Sequence, residues 1–83
     1  MTYRVSIFIE LQEGVLDIQG KAVERSLAGM GHDALRSVKV GKYIQVWVET
    51  GSAEDARKEA ERMCDDLLVN SVIEQFRIEV EGE

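Results

Sequence analysis

The sequence predicts an α+β fold, a ferredoxin-like β-α-β-β-α-β sandwich in which a four-stranded antiparallel sheet carries two helices on one face. Three observations lead there. Apolar residues alternate with polar ones near both ends and in the middle of the chain, the period of half-buried strands. Two stretches with helical spacing lie between those strands. The chain has 83 residues, enough for one hydrophobic core, so a single domain over residues 1–83 is expected.

The first strand is read from Tyr3, Val5, Ile7, Ile9 and Leu11, with Arg4, Ser6 and Glu10 between them. Glu13-Gly14 breaks the alternation. Asp17 can then cap a helix, because its carboxylate can accept from the free amides of the first turn. The apolar stripe of that helix is Ala22, Val23, Leu27 and Met30, and Gly29 and Gly31 end it, one of them in the left-handed conformation. A hairpin is expected next, with Val38 and Val40 before Gly41-Lys42 and Ile44, Val46 and Val48 after it. A two-residue turn places the two valines on the face of Trp47. A three-residue turn places them on the other, and the sequence leaves both open. Ser52 is a good N-cap for the second helix, with Glu54 and Asp55 at its positive end. Ala56, Ala60, Met63, Cys64, Leu67 and Leu68 form its stripe, Asn70 stops it, and Val72, Phe76, Ile78 and Val80 mark the last strand. In this plan the first and third strands lie side by side in the middle of the sheet.

Composition narrows the function. At 45% hydrophobic and 31% charged residues, the chain is an ordered domain rather than a disordered tail. Sixteen acidic against ten basic residues give a formal charge of −6, which repels phosphate backbones and anionic lipid, so neither nucleic acid nor membrane is an expected partner. One cysteine, Cys64, cannot form an internal disulfide, and the first residues lack the pattern of a secretory signal; a cytoplasmic protein is expected. A chain this short buries a modest share of its surface, so self-association would add burial that it lacks. Phe8 and Trp47 are the candidates for that contact, since on neighbouring central strands they would lie side by side on the face that no helix covers.

Catalytic signals are sparse. His32 stands alone at a helix end, Cys64 falls on an apolar stripe, and nothing has the spacing of a zinc centre or phosphate loop. No catalytic residue and no metal ligand is assigned. The suggestive residues are in loops: Asp17, Gln19, Gly20 and Lys21 at the entry to the first helix, and Gly41, Lys42 and Tyr43 at the hairpin. A capped helix start with a tight turn, and a polar contact surface on a rigid scaffold, explain them equally well.

Three segments together resemble the PurS family. They are Gly14-Val15-Leu16-Asp17-Ile18-Gln19-Gly20-Lys21-Ala22-Val23, then Val40-Gly41-Lys42-Tyr43, then Met63-Cys64 through Leu67-Leu68 with Asn70 and Val72-Ile73-Glu74. The family commonly has proline where this chain has Ile18 and Ser71. The resemblance implies a small, non-catalytic subunit of phosphoribosylformylglycinamidine (FGAM) synthase in purine biosynthesis. It would join a glutamine amidotransferase (PurQ) and an ATP-dependent synthetase (PurL), forming a homodimer or tetramer and assisting ammonia transfer. The complex would use ATP and Mg, with no cofactor on this subunit. Asp17, Gln19, Gly20, Lys21, Gly41, Lys42, Tyr43 and Asn70 become candidate contact or loop-shaping positions. The competing class is a small-molecule sensor of ACT type, which shares the order of elements. An RNA-binding module is more distant, because the acidic chain lacks the basic surround it needs.

Overall fold

The computed structural model describes residues 1–82; Glu83, the last residue of the expected domain, lies outside the described residues. Strand β1 (Thr2–Leu11) leads into helix α1 (Ile18–Gly29), strand β2 (Lys42–Glu49), helix α2 (Ala53–Met63) with a π-helical turn (Cys64–Leu68), and strand β3 (Glu74–Gly82). Among the described residues the sheet has three strands, not four, in the antiparallel order β2-β1-β3. β1 is central, as its two-sided pairing requires, and β2 is left at an edge.

The core follows from the alternation. Val5 and Ile7 have no exposed surface and Ile9 almost none, and Val48 and Ile78 are buried on the same face of the neighbouring strands. α2 covers this face through Ala56 and Ala60, whose small side chains let the helix backbone approach the sheet, and the π-helical turn adds Cys64. Ser52 caps α2, its Oγ accepting from the Asp55 amide at 3.1 Å.

Past Met63 the helix widens. The Val69 amide donates to the Cys64 carbonyl, five residues back, at 3.0 Å. A π turn takes more residues per revolution than an α turn, so it rotates the following side chains off the expected stripe. Leu68 therefore packs against the core, while Leu67, expected to do the same, is 84% exposed. Val72, expected in the last strand, lies in the turn before it and is also exposed.

The larger departure is α1. It was expected beside α2 on the sheet, yet it packs on no other helix or strand. The molecule is elongated, measuring 51 × 27 × 15 Å. The radius of gyration is 16.4 Å, against roughly 12 Å for a compact chain of this length. Val23 and Met30, expected on its buried stripe, are exposed, as is Ile18 at its start, and Met30 lies just past the helix end. Residues 18–41 thus form an arm, with α1 going out, Gly31 turning the chain at positive φ, and residues 32–41 coming back.

The expected hairpin does not form, because residues 36–41 pair with no strand and the chain runs straight through Gly41 into β2. The reason is local. The Val40 amide that a hairpin ladder would use donates instead to Asp17 Oδ2 at 2.9 Å, which holds the returning segment to the start of α1.

Candidate functional site

One end of the sheet gathers most of the loop residues singled out from sequence. β1 ends there, β2 and β3 begin there, and the arm is rooted there. A cleft of roughly 630 Å³ opens between them, bounded by Phe8, Glu10, Gln12, Asp17, Lys42 and Arg77 among others.

Asp17 is the hinge pin. Its carboxylate accepts from the Gly20 amide at 2.7 Å as the N-cap of α1, and from the Val40 amide on the returning segment. These two backbone amides, Val40 foremost, hold its carboxyl below the usual aspartate value. The glycines beside it are there for space. A Cβ on Gly20 would sit 2.7 Å from the Val38 carbonyl oxygen, and one on Gly41 would sit 2.5 Å from that of Ile9. A larger residue at Gly20 would push the returning chain off the start of α1, and one at Gly41 would push it off β1.

Lys42 and Asn70 meet through Glu74. The Lys42 ammonium is 3.3 Å from Glu74 Oε2, and the Asn70 amide donates to Glu74 Oε1 at 2.8 Å. The Asn70 amide first, and Lys42 after it, keep the Glu74 carboxyl below its ordinary value. The Asn70 side chain caps its own turn by accepting from the Val72 amide at 3.1 Å. Gln12 completes the clasp. Its side-chain amide donates to the Ser71 and Glu74 carbonyls, and its backbone amide to that of Ile73. Sequence reading missed Gln12, since a glutamine just past a strand carries no signal by itself.

The remaining candidates separate. Gln19 and Lys21 are exposed on the first turn of α1, and Lys21 lies 3.8 Å from Glu24. Tyr43 turns to the open face of the sheet and stacks on Phe8, with ring centroids 4.9 Å apart. Phe8 and Trp47 share that face but are not side by side. In the observed register Phe8 pairs with Tyr43 and Trp47 with Arg4, four residues along the strand, with the Ser6–Gln45 pair between them. His32 is exposed at the tip of the arm, and Cys64 is buried, its thiol pushed up by burial before the nearby Asp65 and Glu61. Among the described residues no three His, Cys, Asp or Glu side chains converge as a metal's ligands would, and no helix is long and apolar enough to cross a membrane.

The fold and this end of the molecule define a protein of contacts: an acidic α+β module with a clasped loop cluster, a projecting arm and an aromatic sheet face. Comparison with known proteins makes the class specific. Residues 4–82 match the family model PurS, described as phosphoribosylformylglycinamidine (FGAM) synthase, and the chain belongs to that family. It is 40% identical over 79 residues to the Bacillus subtilis phosphoribosylformylglycinamidine synthase subunit PurS, covering 95% of this chain and 93% of that one. The crystal structure of Methanocaldococcus jannaschii PurS superposes with a TM-score of 0.89 at 32% identity, covering 98% of each chain. A chain in the structure of PurLQS from Thermotoga maritima superposes with a TM-score of 0.90 at 26% identity, over 98% of this chain and 99% of that one.

Proposed function

We propose that this chain is the small subunit of FGAM synthase in purine biosynthesis, bridging an amidotransferase subunit (PurQ) and an ATP-dependent synthetase subunit (PurL). The observation that carries the reading is the near-complete match to the PurS family, including a chain of a PurLQS assembly. In such an assembly the amidotransferase releases ammonia from glutamine, and the synthetase uses it with ATP and Mg to convert formylglycinamide ribonucleotide to FGAM. The chemistry explains why a subunit can help without a reactive group. Ammonia at neutral pH is mostly protonated and diffuses into water, so two active sites gain from being docked and sealed. Holding them in register lowers the entropic part of the barrier. The cell's cytoplasm is the compartment for this work, in keeping with a free, buried thiol.

Self-association, as a homodimer or a tetramer built from two, is part of the same reading. The arm supports it. Residues 18–41 carry Lys21, Arg25, Arg36 and Lys39 against Glu24 and Asp33, so the arm is +2 while the rest of the −6 chain is −8. An arm that is basic and apolar suits the acidic body of a second copy, whose β2 edge lies open and whose Ile44 and Val46 are only partly covered. The clasp formed by Asp17, Gly20, Gly41, Lys42 and Asn70 shapes the root of the arm. Gln19, Lys21 and Tyr43 are left to make contacts.

Sedimentation of the three subunits together, with glutamine and nucleotide present, tests the reading. A complex containing both larger subunits is expected only when this chain is added. Co-sedimentation of the larger two to the same extent without it would overturn the bridging role.

A further inference from the structure

β3 lies at the other edge of the sheet from β2, and the ladder to β1 fixes which of its groups face outward. The Gln12 amide donates to the Ile73 carbonyl at 2.8 Å, in line with the β1–β3 register. Hydrogen-bonded and non-hydrogen-bonded pairs alternate along an antiparallel ladder. Gln75, Arg77, Glu79 and Glu81 therefore bond to β1, whereas the amides and carbonyls of Phe76, Ile78 and Val80 point away from it. Arg57 agrees with this direction. From α2 its Nη1 donates to the Ile78 carbonyl at 3.4 Å. A carbonyl has two acceptor sites, so this contact leaves room for a second donor. An edge with free amides and carbonyls is a template for another strand.

The strand that fits is a second β3, because this edge complements itself in one register. Residues opposite each other must share a face of the sheet, so a two-fold axis passes through one residue of β3. On Ile78, the axis sets Phe76 opposite the second copy's Val80, both with outward amides and carbonyls to exchange. It sets Arg77 opposite the second copy's Glu79, and the reverse, as non-hydrogen-bonded pairs with Cα atoms roughly 4.5 Å apart. Glu81, held by Arg4 in its own chain, then faces Gln75. The other registers fail. An axis on Arg77 or Glu79 places that charge against itself, one on Val80 places Glu79 against Glu81, and one on Phe76 places Glu74 against Ile78. Arg77 is already held in place, 4.3 Å from the centroid of Phe8 and paired with Glu79 of its own strand. On the covered face, α2 brings one charge of each sign, Glu54 and Arg57, to the hollow beside Val80.

We propose that the β3 edge is a second self-association surface, where two copies pair antiparallel about Ile78 and so join two arm-linked dimers into a tetramer. The proposal rests on the self-association in the proposed function and adds the surface and register of its second step. The arm and the β2 edge stay with the first.

Sedimentation velocity of the whole chain over a concentration series tests it, with Arg77→Glu, Glu79→Arg and the two together. Both side chains are exposed, so the variants should fold, and circular dichroism checks it. Each single variant should weaken tetramer formation from dimers roughly tenfold, because like charges then meet on both sides of the axis. The double exchange should restore it. So should mixing the two single variants, whose charges complement each other only between chains. Val80→Pro removes an outward amide and none of the bonds to β1, and should leave dimers alone. A wild-type chain that stops at the dimer at every concentration would overturn the proposal, with the arm-linked dimer intact. Single variants that associate as the wild type does, or a mixture that restores nothing, would overturn it too. A wild-type chain that stays monomeric would overturn the self-association in the proposed function, and this surface with it.

Discussion

The body and the arm are built from the same kinds of residue and reach opposite ends. In the body, Val5, Ile7, Ala56 and Ala60 are completely enclosed by elements of one chain. In the arm, Ile18 at the start of α1 and Met30 just past its end are each 74% exposed, and the helix packs on no other described element. Apolar periodicity thus specifies that a surface will be buried, but not which molecule buries it. The body can be understood from one chain, whereas the apolar residues of the arm have no cover within it.

That contrast can be broken in the body first. Ile7→Ala leaves a cavity at a side chain with no exposed surface and should cost about 2–5 kcal/mol. Urea unfolding should show it at any protein concentration. A loss that vanished at high concentration would mean that the body, too, depends on association. In the arm, Leu27→Glu with Met30→Glu should weaken self-association at least tenfold, about 1.4 kcal/mol, without lowering the helix content or stability of dilute protein. Sedimentation equilibrium reads the first and circular dichroism the second.

Acid should act at the junction between the two regions. Asp17 and Glu74 both have carboxyls held below their ordinary values by backbone amides. Groups of this kind stabilise fully above their unfolded values, near pH 4, and lose that contribution as pH falls through the lower folded ones. The clasp should therefore loosen only below about pH 4. The amide resonances of Val40 and Asn70 should report it, and Asp17→Asn should remove the response at Val40 while leaving that at Asn70. The smallest effect is expected at Leu67→Ser, within about 0.5 kcal/mol, because the π turn has already taken this side chain off the core.

The body was largely legible in the sequence. Strict alternation from Tyr3 to Leu11 marks β1, and Ser52 before Ala56 and Ala60 marks α2, because both signals are local. The hairpin was misread because Val38 and Val40 alternate in the same way whether the chain folds back or runs on. What decides is Asp17, more than twenty residues away, which takes the Val40 amide. Leu67 was placed on the core stripe because an α-helical period was carried through a turn that widens. The Phe8–Tyr43 stack depends on the register of β1 against β2, which the alternation within each strand does not fix. At the candidate site, Asp17, Gly20, Gly41, Lys42 and Asn70 were marked from the sequence, but the link of Lys42 to Asn70 through Glu74, and the bonds of Gln12 to Ser71, Ile73 and Glu74, need three segments seen together.

The larger subunits reconstituted with and without this chain, and supplied with either glutamine or free ammonia, give the most direct test of the account. Synthesis of FGAM from glutamine should rise sharply when the chain is added, while synthesis from excess ammonia should change little. Equal glutamine-driven synthesis without the chain, or FGAM formed by the chain alone, would contradict it.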